Sequence, residues 1–180
     1  MSEEPPLASQ EQAVASARMP AQGRPMRPVE LVDISVDLPA TYPVVVLREL
    51  DPPYRELRFA LGLPEGAAIA YAWRSMTTPR PLTHDLFATV LERFEISLEL
   101  VSIVAVEGRT FFAEVTFRGS QPGSQTIECR PSDALALALR QRLPVPIVVA
   151  EDVLDCAGVA VGEPTAFASS ASVAAQRGAP

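Results

Sequence analysis

The chain has 180 residues, 48% hydrophobic and 21% charged, a balance that predicts a folded globular protein with one core. No apolar run approaches the roughly 20 residues of a membrane helix, and the N-terminus lacks a signal-peptide stretch, so we expect a cytoplasmic protein without membrane contact. Residues 26 to 158 carry 12 arginines against 18 aspartates and glutamates, a net charge of −6, which argues against gripping long nucleic acid through a basic face.

Composition divides the chain into a body and two tails. Residues 1–25 are rich in Pro, Gln, Ala, Glu and Ser, and we expect a disordered N-terminal extension there. Residues 160–180 form an Ala/Ser/Gly/Pro tract, which predicts a disordered C-terminal tail. Residues 26–159 are expected to form one domain. Its two cysteines have no CxxC spacing and no histidine cluster, so we expect reduced thiols rather than a disulfide or a zinc site.

The body opens with strand patterns and then a helix. Apolar and β-branched residues predict a hairpin from Val29 to Leu50 through the turn-prone "PATY", and "YRELRFAL" predicts a third strand. The stretch "PEGAAIAYAWRSM" predicts a helix with Pro64 near its first turn and Glu65 beside the positive end of the helix dipole. We expect Trp73 in this helix to pack in the core.

A second helix shows the clearest periodicity in the sequence. Its predicted buried face consists of Leu86, Phe87, Val90, Leu91 and Phe94. Thr83 is its natural N-cap.

The second half of the body alternates strands and helices. "SLELVSIVAV" and "TFFAEVTFR" predict strands across an "EGR" turn, and "SQTIEC" predicts another. Ser132 is the expected N-cap of a helix that is apolar all round, with Arg140 and Arg142 near its C-terminal end. "PIVVA" and "EDVLDCAG" predict a last strand and helix. The order favours a single α+β domain with a mixed, largely antiparallel sheet and three to four helices.

Two motifs repeat one order of residue types at a helix start. "RPLTHD" at 80–85 and "RPSD" at 130–133 each give arginine, proline, a hydroxyl residue and then an aspartate. Helix capping alone accounts for the hydroxyl residues and the aspartates. Capping does not account for the arginines or for His84, the chain's single histidine. Both a structural and a chemical interpretation therefore remain open.

The chemical interpretation requires the two helix starts to converge. Arg80 and Arg130 would then donate to a phosphate, while Asp85, Asp133 and Glu128 could hold a divalent cation such as Mg²⁺ or Mn²⁺. His84 could move a proton to or from water or the leaving oxygen. The catalytic candidates are therefore His84, Asp85 and Asp133, and the metal-ligand candidates are Asp85, Asp133 and Glu128.

In this order and context the motifs carry a family resemblance. "RPLTHDL" and "RPSDALALALR", behind "VDLPATYPVVVLRE" and ahead of "PIVVAEDVLDCAGV", resemble the bacterial and plant bifunctional nuclease domain family over Met26–Val159. The resemblance implies a single α+β domain and hydrolysis of phosphodiester bonds in DNA and RNA. Family members open at the equivalent of Met26, so residues 1–25 are expected to be an extension or an over-called start.

The resemblance extends residue by residue through both motifs. The matched positions are Arg80, Pro81, Thr83, His84, Asp85, Arg130, Pro131, Ser132, Asp133 and Ala134. It implies substrate binding by Arg80, Arg130, Thr83 and Ser132. One departure is the Glu65–Gly66 pair, where family members usually carry Glu-Ala.

Two other hypotheses remain besides that of a nuclease. The acidic body also suits a non-enzymatic module of regulatory or structural role, which binds a small ligand or a protein while both motifs only build helix starts. The strand "TFFAEVTFR" places Phe112 on its polar side, which suggests a small homo-oligomer.

Overall fold

The computed structural model describes residues 23–36, 41–119 and 122–162, and these fold into eight strands and four helices. The strands are β1 (Met26–Ser35), β2 (Val44–Glu49), β3 (Arg55–Ala60), β4 (Ser97–Glu107), β5 (Thr110–Arg118), β6 (Ser124–Cys129), β7 (Ile147–Ala150) and β8 (Gly158–Ala160). The helices are α1 (Leu63–Trp73), α2 (Thr83–Arg93), α3 (Pro131–Ala138) and α4 (Glu151–Ala157). Apart from 23–25 and 160–162, the predicted tails lie outside the described residues.

All eight strands join one open sheet in the order β6-β5-β4-β7-β1-β2-β3-β8. The predicted first hairpin is confirmed as the antiparallel pair β1–β2, although residues 37–40 of its connection lie outside the described residues. Strand β7 lies in the middle of the sheet, antiparallel to β1 and parallel to β4. Every other pairing is antiparallel. The mixed, largely antiparallel α+β domain is therefore confirmed.

Helix α3 lies in the centre of the fold. It packs against α1, α2, β4 and β5, and almost all of its residues are buried, as its all-round apolar sequence predicts. Helix α4 lies on the other side of the sheet from α3. It lines a pocket with Phe112 and Glu114 of β5. These two residues alternate along the strand with the core residues Ala113 and Val115, so they point to the opposite face of the sheet. None of the helices in the described residues has the length and apolar character that a membrane crossing requires.

Two predictions of burial are wrong. Trp73 is 38% exposed, because α1 packs through the small residue Gly66 together with Ala68 and Ile69, and the indole stands at the helix's last position. The predicted apolar face of α2 is also open to solvent. Among its five residues only Leu91 is buried, whereas Leu86, Phe87, Val90 and Phe94 are exposed. Helix α2 packs mainly on α3, so its apolar side is not covered by the sheet.

Both predicted N-caps are also wrong. Helix α2 begins at Thr83, so Leu82 is the N-cap residue and its N–H donates to the Asp85 carboxylate at 2.7 Å. Helix α3 begins at Pro131, two residues earlier than a cap at Ser132 predicts, because the fixed φ of proline suits the first helical position. Ser132 therefore lies inside the first turn and is buried, without a side-chain capping bond.

A buried ion cluster joins the far half of the sheet to α4. The Glu49 side chain is fully buried and accepts hydrogen bonds from the backbone N–H and guanidinium of Arg55 at 2.8–2.9 Å, and from Arg27 at 2.8 Å. Arg55 also pairs with Glu151 and Asp155, both at 2.6 Å. The hydrogen bonds from Arg55 are the main cause that lowers the pKa of Glu49, to about 2.

Candidate functional site

The two Arg-Pro motifs meet in space at the first turns of α2 and α3. His84 Nε2 lies 3.2 Å from Asp133 Oδ1, although the two residues are 49 positions apart in the chain. Both side chains are partly exposed. Helix packing creates this contact, since α2 lies on α3 and each motif places its polar residues in the first turn of its helix. The convergence that the chemical interpretation requires is present.

Arg130 completes a network of charges around Asp133. Its Nε donates to Asp133 Oδ2 at 2.8 Å, its Nη2 to Oδ1 at 3.2 Å, and its Nη1 to Glu65 Oε1 at 3.3 Å. Burial opposes ionisation of Asp133, but the hydrogen bonds from Arg130 and His84 outweigh it and lower the pKa of this carboxyl. Asp133 is therefore a carboxylate that can orient the imidazole of His84 through one oxygen.

An apolar cleft of ≈ 520 Å³ opens beside this network. Its polar end is formed by His84, Asp133, Arg130 and Thr83. The remaining wall is apolar and comes from α2, β5, β6 and α3, through Phe87, Val115, Phe117, Ile127, Cys129 and Leu137. This volume and lining fall in the range of small-molecule sites, which are mostly apolar with a few convergent polar groups.

Asp85 follows His84 in sequence but lines a different cleft. One carboxylate oxygen accepts from the Leu82 N–H and the other from Arg140 Nε. Arg140 and Asp85 line this second cleft together, between α2 and the segment after α3. Burial opposes the ionisation of Asp85, and the bonds from Arg140 and Leu82 reverse this and lower its pKa. The structure thus gives Asp85 the task of fixing the start of α2.

The predicted substrate-binding residues divide into two groups. Thr83 and Arg130 line the cleft beside His84. Arg80 is exposed, and its guanidinium forms no ion pair with the described part of the chain. Ser132 is buried beneath the cleft and outside its lining. Three of the four residues, Thr83, Arg80 and Arg130, are therefore accessible to a ligand.

The predicted metal-ligand set is not formed. Asp133, Asp85 and Glu128 line three different pockets, and Glu128 lies on the opposite side of the sheet because it alternates with Ile127 and Cys129 along β6. Within the described residues no group of three His, Cys, Asp or Glu side chains is placed to hold a metal ion. These residues do not fit a shared Mg²⁺ or Mn²⁺, so the expected ligand set is corrected. A need for a divalent cation stays a prediction.

Several residues of the site escaped the sequence analysis. The spacing of Cys129 predicts only a reduced thiol, yet this residue lines the cleft. Burial raises the pKa of its thiol to about 11, with a further contribution from Asp133. Arg140 was expected to serve the helix dipole and instead binds Asp85. Strand alternation could have found the cleft wall, because Val115 and Phe117 share one face of β5 and Ile127 and Cys129 share one face of β6.

Comparison with known proteins identifies the family. The family model of the bifunctional nuclease domain matches residues 45–162, which include both Arg-Pro motifs and the His84–Asp133 contact. The chain belongs to the bifunctional nuclease domain family. The match confirms the family resemblance that the two motifs carry.

Curated relatives of this bifunctional nuclease domain come from two strains of Mycobacterium tuberculosis. Each is described as an uncharacterized protein and is 39% identical over 136 residues, which span 76% of this chain and 79% of the relative. Membership of the family indicates a nuclease-related role and an interaction with nucleic acid. The reaction itself and its residues have to be argued from the site.

Proposed function

We propose that this chain hydrolyses phosphodiester bonds of DNA and RNA at the cleft beside His84 and Asp133. The observation that carries the proposal is the 3.2 Å contact between these two side chains, which joins the two family motifs across the α2–α3 interface. An imidazole oriented by a carboxylate is a general acid–base pair. Arg130 lies against the same carboxylate and supplies a cation where a phosphate would enter.

The proposed reaction needs one proton transfer on each side of phosphorus. His84 takes a proton from the attacking water as the new P–O bond forms, while Asp133 stabilises the resulting imidazolium. The bond to the leaving oxygen breaks on the opposite side of phosphorus, where solvent water donates a proton to that oxygen, and His84 releases its own proton to solvent, so no net proton is gained or lost. Arg130 and the exposed Arg80 offset the negative charge of the phosphate. This step is derived without a metal, because the carboxylates of the predicted set lie apart.

The test compares two matched aspartate variants. End-labelled DNA and RNA oligonucleotides are incubated with the wild type, with Asp133→Asn and with Asp152→Asn, which also lies in the first turn of a helix but on the other side of the sheet. We expect Asp133→Asn to lower the cleavage rate at least 100-fold, the low end of general acid–base contributions, and Asp152→Asn to leave it unchanged. Equal rates in all three proteins would identify a contaminating nuclease and refute the proposal.

Each reaction is run with EDTA, with Mg²⁺ and with Mn²⁺. Cleavage in EDTA supports the acid–base pair acting alone, whereas full dependence on either cation requires ligands beyond the residues that line this cleft. Absence of cleavage in every condition favours the alternative, a ligand- or protein-binding module without enzymatic activity. In that case calorimetry would detect no heat with metal or with short oligonucleotides, and Arg130→Ala would only lower the melting temperature.

The proposal extends to location and assembly. We propose a cytoplasmic protein, which the two free cysteines suit. We also propose a small homo-oligomer, and its support is the exposed apolar side of α2 with Leu86, Val90 and Phe94. Light scattering that reports a monomer at every concentration would contradict the oligomer.

A further inference from the structure

We propose that the apolar cleft beside His84 and Asp133 receives one unpaired nucleobase, so that single strands, and not duplexes, are the substrate class. This inference rests on the proposed function, since the base is placed where the attached phosphodiester would reach the acid–base pair. It follows from the lining of the cleft, from two exposed apolar side chains and from the charge of the body.

The cleft combines the two surfaces that a nucleotide presents. Its apolar wall suits the faces of a base, and its polar end offers His84, Asp133 and Arg130 to the base edge and the phosphate. Both surfaces belong to one cavity of ≈ 520 Å³, so the ligand that suits it is part apolar and part polar or charged. A nucleotide with its base outside a stack has this composition.

Two large apolar side chains at the cleft are exposed. Phe87 of α2 is 43% exposed and Ile127 of β6 is 53% exposed, and they line the cleft from different elements. Exposed apolar groups forgo the free energy of burial, and they gain part of it when a ring covers them. Stacking of a base on such a side chain contributes about 1–3 kcal/mol and does not depend on which base is present.

The charge of the body excludes a broad grip on a duplex. With 12 arginines against 18 carboxylates in residues 26 to 158, the net charge of −6 repels a continuous phosphate backbone. Arg130 is also partly neutralised by Asp133 and Glu65. Affinity must then come from a few local contacts, and a base that is already unpaired costs least to extract from its neighbours.

The experiment measures binding and cleavage of short oligonucleotides that carry the fluorescent base 2-aminopurine. The strands are single or paired with a complement, and a third version replaces one base by an abasic site. The variants are Phe87→Ala and the matched control Phe94→Ala. Phe94 is the C-cap residue of the same helix, is 69% exposed and is outside the cleft lining. Circular dichroism confirms that both variants fold.

We expect Phe87→Ala to weaken single-strand binding about 5- to 140-fold, the equivalent of 1–3 kcal/mol of stacking, and Phe94→Ala to change it less than twofold. Base fluorescence should be quenched on binding to the wild type, and the duplex should bind more weakly than the single strand. Equal effects of both variants, or equal binding of duplex and single strand, would overturn the inference.

The two proposals can fail separately. Single-strand binding that depends on Phe87 without any cleavage would remove the hydrolase and leave the base pocket. Equal cleavage of base-containing and abasic strands, with Phe87→Ala as active as the wild type, would remove the base pocket and leave the hydrolase. No binding of any strand would remove the base pocket.

Discussion

The Arg140 side chain offers the strongest test of how the site is assembled. It is 8% exposed, its Nε donates to Asp85, and its Nη1 donates to the carbonyls of Ala68 at 3.0 Å and Ala136 at 2.8 Å. One guanidinium therefore links α1, α2 and α3. Since Asp85 also holds the N–H of Leu82, we infer that Arg140 is a positioning residue that keeps His84 over Asp133 through the start of α2.

The cost of Arg140→Ala can be worked from these contacts. Breaking a buried ion pair costs about 3–5 kcal/mol, and the 36% exposure of the Asp85 side chain lets water screen part of this loss. We therefore expect a loss of about 2–3 kcal/mol in the free energy of unfolding, which corresponds to about 4–12 °C in melting temperature for a chain of this size. The matched control is Arg142→Ala, whose side chain is 84% exposed and pairs with Glu92, and it should cost less than about 1 kcal/mol.

The dependence on pH identifies the cause. Arg140 helps to lower the pKa of Asp85 below its ordinary value of 3.8. The free energy that this ion pair contributes to folding is therefore fully present above pH 3.8, and it is lost as the pH falls through the lowered pKa. Thermal unfolding from neutral to acidic pH should therefore show the difference between wild type and Arg140→Ala shrinking in acid. As a positioning residue, Arg140 should also affect the cleavage rate, so Arg140→Ala should lower that rate and Arg140→Lys should recover part of it. A loss as small as that of Arg142→Ala, or one that does not change with pH, would refute this reasoning.

Two other predictions concern the framework. Hydrogen bonds from Arg55 are the main cause that lowers the pKa of Glu49 from 4.5 to about 2. The free energy of unfolding of the wild type should therefore fall by about 3 kcal/mol as the pH drops across that range. Acid titrations of unfolding should show a smaller fall for Glu49→Gln. A Cβ on Gly66 would lie 2.5 Å from the Pro43 ring, so Gly66→Ala should destabilise the fold by about 1–3 kcal/mol despite the better helix propensity of alanine. Pro43→Gly, which removes both the Cγ at 2.5 Å and the Cβ at 2.6 Å, should remove that penalty in the double variant, and additive losses in denaturant melts would contradict it.

The sequence predicted what local patterns control. Alternation located the strands, and proline with neighbouring acids located the starts of α1, α2 and α3 to within about two residues. These features are local, so the order of residues along the chain is enough to detect them. The contact between His84 and Asp133 is not local: the chemical interpretation required the two helix starts to converge, and only the fold shows that they do.

What escaped prediction depends on which surfaces the fold covers. The periodicity of α2 shows that one side is apolar, but not whether the sheet reaches it, so Phe87 and Phe94 were wrongly expected in the core. Glu128 carries no sign of which face of the sheet it takes until the register of β6 against β5 is known. Because strand residues alternate, that register separates it from Asp133.

The exposed side of α2 and the cleft have one structural cause. Helix α2 packs mainly on α3, while β6 is an edge strand whose residues, including Ile127, are largely exposed within the described part of the chain. A gap therefore remains between α2 and the β5–β6 part of the sheet, and Phe87 faces it from one side. The first turns of α2 and α3 close one end of this gap with His84 and Asp133. A helix laid fully against the sheet would have buried its apolar side and closed the cleft, so the open side of α2 is what leaves His84 and Asp133 accessible to a ligand.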